Sequence, residues 1–371
     1  MPAVRKASMR AAESARRLAL LRRRLTDLSV DGLLVTMPAN IRYLSGFSGT
    51  LGYLLIGMEV AEILGDSRYW LQMEEESPAF SLVRSSASPG LWALVAERVR
   101  ANGLSRVAFE SEQLTVDLHR QLRDRLPAGI ALEASRGLIE EFRMRKTPDE
   151  VEQLRRVAGI AGRAFDHVRT ALRPGLRERD VAFLLEQTFR ELGADGPSFE
   201  TIVAAGERGA LPHGRASDRP IARSDMVVID FGASAGGYNS DTTRTVVIGE
   251  ASAEQTRVID AVREVQRASL AMMRPGVAAD AIDKKAREVA TSLAGANAFG
   301  HGLGHGIGLM VHERPYLSPS DQTVLQPGMV ITNEPGVYIP GWGGVRLEEM
   351  VLITEQDPEV ISPASREIIA G

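Results

Sequence analysis

A short motif that occurs twice constrains this chain most. Leu172-Arg173-Pro174-Gly175 ends one helix-like stretch and precedes another that begins near Asp180. Met273-Arg274-Pro275-Gly276 does the same before a helix near Asp280. Each copy then runs on through glycines to a His-Gly pair, Pro212-His213-Gly214 in the first and Gly304-His305-Gly306 in the second. Two helix-helix-strand halves of about 100 residues, related by internal similarity, predict a pseudo-symmetric α+β domain with a site where the halves meet.

The chain has 371 residues, more than that domain needs, so a second domain is expected. Leu18, Leu20, Leu21, Leu25 and Leu28 recur at helical spacing over Ser14 to Leu28, with arginines filling the other face. Residues 1 to 8 read as a loose leader, and Met9 as an alternative start. Strand-like runs at Gly32 to Thr36 and Gly52 to Ile56 flank Asn40 to Gly49, which reads as a Gly/Ser-rich loop able to reach a ligand. A helix at Leu91 to Asn102, a strand at Arg106 to Phe109, a helix at Thr115 to Leu126 and a strand at Ile130 to Glu133 complete an alternating α/β unit. Thr147, Pro148 and Glu150 form a capping-box signature that opens a long helix to Leu172. The boundary is therefore expected between 135 and 146, giving domains of 1–140 and 141–371.

Composition excludes several classes. No apolar run approaches the ~20 residues that span a bilayer, and no signal-peptide pattern follows the basic N-terminus. A net charge of -4 gives no reason to expect nucleic acid as a partner. Cysteine is absent, which excludes disulfides and thiol catalysis and fits a cytoplasmic protein.

The stretch Met226 to Ile248 reads as a β-hairpin with an acid in each arm. Met226 to Phe231 is a short apolar run, Gly232, Gly236 and Gly237 supply the reversal, and Asp241 to Ile248 returns rich in Thr and Val. Asp230 ends an apolar strand, and Asp241 is expected to face it across the turn. An isolated pair of this kind would be two turn formers. Further segments change that weighting. His301, His305 and His312 fall within twelve residues of a chain with only six histidines, among glycines that let the backbone come close to whatever the imidazoles hold. Glu334 ends the apolar strand Met329 to Thr332. In Val345 to Val351 the period of two puts Arg346 and Glu348 on one face and Glu349 on the other. Three strands thus each deliver an acid out of apolar sequence. Four carboxylates with one imidazole suit two hard or borderline divalent ions, which would balance their charge.

Asp-Phe-Gly, Ser-Asp-Thr-Thr-Arg-Thr, Gly-His-Gly-Ile-Gly, Glu-Pro-Gly-Val-Tyr and Val-Arg-Leu-Glu, in this order, resemble the Xaa-Pro peptidases of the pita-bread metallopeptidase family, which include prolidase and aminopeptidase P. The likeness is dense over 146 to 371; Asn40 to Gly49 and its surroundings resemble, more loosely, that family's creatinase-like N-terminal domain. The resemblance implies that Asp230 binds one metal and His305 the other, that Asp241 and Glu348 bridge both, and that Glu334 binds the His305 metal and handles protons. It implies that His213 and His312 contact the substrate and the tetrahedral intermediate, that Arg346 is a cation behind the acids, that Tyr338 is a hydrogen-bond donor, and that His301 lies with the substrate. Asp usually stands where this chain has Glu349. Manganese is the expected metal, with cobalt, zinc or iron as alternatives, and a hydroxide bridging the two ions is the implied nucleophile. The expected substrate is a Xaa-Pro dipeptide, with longer Xaa-Pro peptides as the alternative, and a homodimer is expected. A dipeptidase needs a cation for the proline carboxylate, for which Arg42 is the first candidate and Arg68 the second. Methionine aminopeptidase lacks the N-terminal domain; creatinase-like amidinohydrolases and metal-free peptide-binding modules of this fold lack the metal ligands present here.

Overall fold

A computed structural model describes residues 2–86, 90–294, 300–367 and 369–370. The chain divides into two units, Met1–Arg143 and Met144–Gly371. Among the described residues no helix is long and apolar enough to cross a membrane.

The first unit is α/β. Helix α1 (Pro2–Asp27) leads into strand β1 (Gly32–Val35), helix α2 (Pro38–Ser45) and strands β2 (Tyr53–Gly57) and β3 (Ala61–Gly65). Helix α3 (Trp70–Glu76), strand β4 (Ser81–Arg84), helix α4 (Leu91–Ala101), strand β5 (Arg106–Glu110), helix α5 (Val116–Arg125), strand β6 (Ala131–Ser135) and helix α6 (Glu140–Met144) follow. The strands make one mixed sheet in the order β4-β3-β2-β1-β5-β6. Two expectations are corrected here. The first helix begins at Pro2, so the expected leader is helical along its backbone from that residue. Asn40 to Ser45 is also helix, with the loop starting only at Gly46, whose φ of 84° terminates it. Pro38 starts α2, and the buried Glu110 carboxylate accepts from the amides of Thr36 (2.6 Å) and Met37 (2.7 Å) and from Asn40 Nδ2 (2.7 Å). A carboxylate over the first turn offsets the unsatisfied amides there, which local composition did not reveal. Arg42 therefore sits in the last turn of a helix, half-buried.

The second unit is built from two like halves. Helices α7 (Pro148–Ala171) and α8 (Glu178–Glu191) precede strands β7 (Gly196–Pro197), β8 (Ile202–Ala205), β9 (Met226–Phe231), β10 (Ala233–Ala235), β11 (Tyr238–Asn239) and β12 (Thr242–Ile248). Helices α9 (Ala253–Leu270) and α10 (Ala279–Ala294) then precede strands β13 (Gly304–Gly306), β14 (Glu313–Leu317), β15 (Val330–Asn333), β16 (Gly336–Ile339), β17 (Gly343–Arg346) and β18 (Glu349–Leu352). In each half an antiparallel run of three strands, β8-β9-β12 or β13-β15-β18, carries the site. The predicted capping box of α7 is present, with Glu150 N donating to Thr147 Oγ1 (3.3 Å) and Thr147 N to Glu150 Oε2 (2.9 Å).

The repeated Arg-Pro-Gly is a shared joint. Gly175 (φ 93°) donates to Ile221 O (2.9 Å), and Ile221 returns a bond to Leu176 O (2.8 Å). Gly276 (φ 87°) donates to Leu325 O (3.0 Å), and Leu325 returns one to Val277 O (2.9 Å). The left-handed φ explains why both copies end in glycine. Each half has its own core, one around Phe165, Phe189 and Phe231, the other around Ile259, Ile282 and Ile331. Phe165 and Phe231 stack with centroids 5.0 Å apart, and Phe231 is fully buried beside Asp230. Phe231→Ala should therefore lower stability by about 3–5 kcal/mol through lost burial and the cavity left behind. The check is the denaturant midpoint of metal-free protein.

Candidate active site

The acids arrive on backbone already paired on both sides. Asp230 on β9 lies opposite Thr243 of β12 and opposite Ile202 of β8. Asp241 is not directly across from it: β10 and β11 intervene as a separate small hairpin, and Asp241 stands just before β12, two positions from Thr243 and on its face. The second half repeats the arrangement. Glu334 follows β15 directly, and Glu348 stands just before β18. Arg346 and Glu348 are not on one continuous strand as expected. Arg346 ends β17, which pairs with β16, and the chain changes sheets at Leu347 and Glu348 before β18 pairs with β15. Both side chains still reach the cluster. Glu349 faces away, buried against Arg244 (3.1 Å) and Arg366 (2.8 Å).

One difference between the halves bears on ligation. Three positions back from Asp230, Val227 pairs with Ala205; three back from Glu334, Ile331 pairs with Gly306. His305, preceding Gly306, thus corresponds to Ala204 and not, as the repeated His-Gly pair predicts, to His213. Gly304 and Gly306 serve the sheet: a Cβ at Gly304 would strike the Thr332 carbonyl oxygen, and one at Gly306 that of Arg314. The close approach they permit is of neighbouring backbone, not of a ligand.

His305 Nδ1 donates to Gly306 O (3.1 Å), which leaves Nε2 turned to Glu334 Oε1 (3.3 Å) and Asp241 Oδ2 (3.6 Å). Thr332 Oγ1 accepts from His305 N (3.0 Å) and donates to Glu334 Oε1 (3.2 Å). In the first half Thr243 Oγ1 donates to Glu348 Oε2 (2.8 Å) and accepts from Arg346 Nε (3.0 Å). Neither threonine stood out in the sequence, although the strand period places Thr243 beside Asp230. Arg346 completes its fork on Asp230 Oδ2 (2.8 Å), Tyr338 Oη (2.7 Å) and Pro212 O (3.1 Å). Tyr338 passes its proton direction on to His301 Nε2 (3.1 Å).

Burial, with Glu348, Asp230 and Glu334 around it, pushes Asp241 well above its usual 3.8. Burial, with Glu334 and Asp230, does the same to Glu348 from 4.5. Burial works against the charge on Glu334 too, but the hydrogen bond and charge of His305 prevail and hold it below 4.5. The same contact lifts His305 above 6.5 against its burial. Burial pushes Tyr338 up to about 12, and burial with the neighbouring His305 lowers His312.

Three groups have ligand atoms mutually within 4.8 Å and could hold a metal: Asp230, Asp241 and Glu348; His305, Glu334 and Glu348; Asp241, His305 and His312. Among the described residues, Asp230 Oδ1 and Glu348 Oε1 are buried without a hydrogen-bond partner. An orphaned buried carboxylate oxygen costs several kcal/mol, and a divalent cation is the partner that fits both. These residues line a cavity of about 500 Å³, together with His213, His301, His312, Tyr338 and Arg346. Phe199, Glu200, Arg215 and Tyr316 line it as well and were not anticipated. The His213 segment is pinned by the fully buried Glu178, which accepts from the Ala205 amide (2.9 Å), the Ser217 amide (2.9 Å) and Arg208 Nε (3.1 Å). The His312 segment is pinned through Glu313, whose Oε1 lies 2.8 Å from Lys146 Nζ in a buried ion pair.

Residues 152–355 match metallopeptidase family M24, and residues 17–145 match the creatinase/prolidase N-terminal domain. The chain belongs to metallopeptidase family M24. It is 35% identical to a Xaa-Pro dipeptidase of Pyrococcus furiosus, over 95% of this chain and 99% of that one. The structure superposes on a Xaa-Pro dipeptidase from Bacillus anthracis with a TM-score of 0.92 at 36% identity, covering 96% of this chain and 99% of the other. It superposes on an X-Pro aminopeptidase from Thermotoga maritima with a TM-score of 0.88 at 34% identity, covering 95% and 99%. The pseudo-symmetric unit is thus the pita-bread fold of these metallopeptidases, preceded by a creatinase-like domain.

A cation held by Asp241, Glu348 and His305 would displace protons from them, so its binding should strengthen as pH rises. The raised carboxylates stabilise the metal-free fold below 3.8 and 4.5 and lose that contribution as pH climbs through their raised values. The gain in Tm on adding Mn²⁺ should therefore grow as pH climbs through the raised values and level off above them. A thermal-shift series with and without the ion checks it, and a gain that shrinks as pH rises would contradict it.

Proposed function

We propose that this chain hydrolyses the Xaa-Pro bond of dipeptides with two divalent ions held by Asp230, Asp241, His305, Glu334 and Glu348. The observation that carries the proposal is the pair of orphaned oxygens in the buried cluster, on Asp230 and Glu348, together with the overlap of the candidate groups. Glu348, Asp241 and His305 are each common to two groups, but only a carboxylate has two oxygens to divide between ions while His305 has its Nδ1 engaged, which supports a bridging role for the two acids. In this reading Asp230 serves one ion, His305 and Glu334 the other, with manganese the first choice.

The ions would supply a water made nucleophilic at neutral pH and a polarised scissile carbonyl. The protein's residues do the rest. Glu334, held ionised by His305, takes a proton from the attacking water and returns it to the proline nitrogen, a tertiary amide nitrogen that leaves well only when protonated. His213 and His312 stand at the cavity to stabilise charge on the former carbonyl oxygen. Arg346 holds Asp230 in place, and through Tyr338 it orients His301 toward the substrate.

The Pyrococcus and Bacillus relatives are named dipeptidases, which favours the short substrate. The Thermotoga relative supports a second reading, an aminopeptidase that acts on longer Xaa-Pro peptides. Kinetics of the Mn²⁺-loaded protein on a Xaa-Pro dipeptide and its Xaa-Pro-Yaa extension decide between them, and turnover of neither removes both. We also read the chain as a cytoplasmic homodimer, on the family resemblance and the lack of cysteine; sedimentation at the single-chain mass would remove the dimer.

Glu348→Ala should abolish turnover and at least one equivalent of metal, measured by elemental analysis; full metal and full activity would end the bridging assignment. His213→Ala and His312→Ala should keep both metals and lose roughly 10²-fold or more in kcat. Since His312 lies with Asp241 and His305 in one candidate group, metal loss in that variant would make it a ligand instead.

A further inference from the structure

Four segments of the first half each present one residue in a single row across the sheet. Thr243 lies opposite Asp230, Asp230 opposite Ile202, and Ile202 opposite Arg215. Directly opposed residues of an antiparallel sheet share a face, so Arg215 lies on the face of Asp230. Arg215, Ile202 and Asp230 accordingly all line the cavity. Two strand spacings put the Arg215 backbone about 10 Å from that of Asp230. The carboxylate of a Xaa-Pro dipeptide lies one residue, about 3.5 Å, beyond the scissile bond, which leaves a gap that an arginine side chain spans.

Arg215 is a fixed mount with a loosely held head. Its carbonyl accepts from Arg208 Nη2 (2.7 Å), and Arg208 is itself held by the buried Glu178. Among the described residues its guanidinium pairs with Glu200 Oε2 alone (3.0 Å), with the two side chains 80% and 62% exposed. An exposed pair of this kind contributes little and exchanges partners readily. Arg346, the other arginine lining the cavity among the described residues, has all three nitrogens engaged.

We propose that Arg215 binds the C-terminal carboxylate of the dipeptide, leaving Glu200 to do so, and that this contact sets substrate length. The proposal rests on the Xaa-Pro reading above and places the carboxylate cation in the catalytic unit rather than at Arg42. Arg supplies a bidentate fork that matches a carboxylate, and a peptide extended past proline presents a neutral amide at the same place.

The test compares Leu-Pro with Leu-Pro amide on Mn²⁺-loaded wild type, Arg215→Ala, Arg215→Lys and Arg42→Ala, with thermal midpoints as the check on folding. Wild type should prefer the free acid. Arg215→Ala should raise KM for Leu-Pro about tenfold or more, the range for losing a charged hydrogen bond, and collapse the acid-over-amide preference. Arg215→Lys should restore part of that preference. An Arg215→Ala enzyme that keeps the preference, loses acid and amide equally, or yields the effect to Arg42→Ala would overturn the proposal while leaving the activity in place. Wild type that turns over neither compound removes the underlying reading and the proposal with it.

Discussion

Like-charge repulsion among four buried carboxylates governs this catalytic unit. At about 5 Å and an effective dielectric near 20, each ionised pair costs about 3 kcal/mol. Summed over Asp230, Asp241, Glu334 and Glu348, that rivals the ~5–15 kcal/mol by which a domain of ordinary stability is folded. Arg346 answers Asp230 and His305 answers Glu334, while burial and the surrounding acids push Asp241 and Glu348 well above their usual range. Without ions the fold thus favours retaining protons on the second pair. Binding of cations and loss of those protons are one equilibrium.

Such a cluster must be held by something stiffer than its own electrostatics. The two sheets provide it. Each acid lies in, follows or precedes a strand paired on both sides, and each half contributes one threonine, Thr243 or Thr332, whose hydroxyl fixes a carboxylate by donation while accepting from a second group of the site. Arg346 links the halves, since it reaches from the end of β17 to Asp230 on β9. Removing one partner of a buried pair costs about 3–5 kcal/mol, so this contact sets the relation of the acids as much as it neutralises one.

Much of this was legible in sequence because it is written in local periodicity. The duplicated Arg-Pro-Gly announced the two halves, and the joint it forms is the same hydrogen-bond pair twice. The α/β class of the first unit and the pita-bread class of the second followed from alternation and motif order. What stayed hidden depends on long-range contact. Asn40 to Ser45 reads as loop by composition; Glu110, some 70 residues on, holds the Thr36 and Met37 amides that lead into its helix. The strands β3 and β4 and helix α3 carried too little periodicity to be placed. The change of sheet between Arg346 and Glu348 has no local sign, since either sheet accepts the same alternation. Glu200 and Arg215 look like ordinary surface charges until the row through Ile202 brings them to the cavity.

The substitution that breaks the duplicated frame has its own consequence. Where one half carries Ala204, the other carries His305, so the socket around Glu334 has an imidazole that the socket around Asp230 lacks. The socket around Asp230 offers only oxygen, which suits harder ions, whereas the socket around Glu334 adds nitrogen and draws softer ones. Two ions in this cavity would be chemically distinguishable: filled in order of affinity, exchanged at different rates, and open to occupation by two different elements in one molecule.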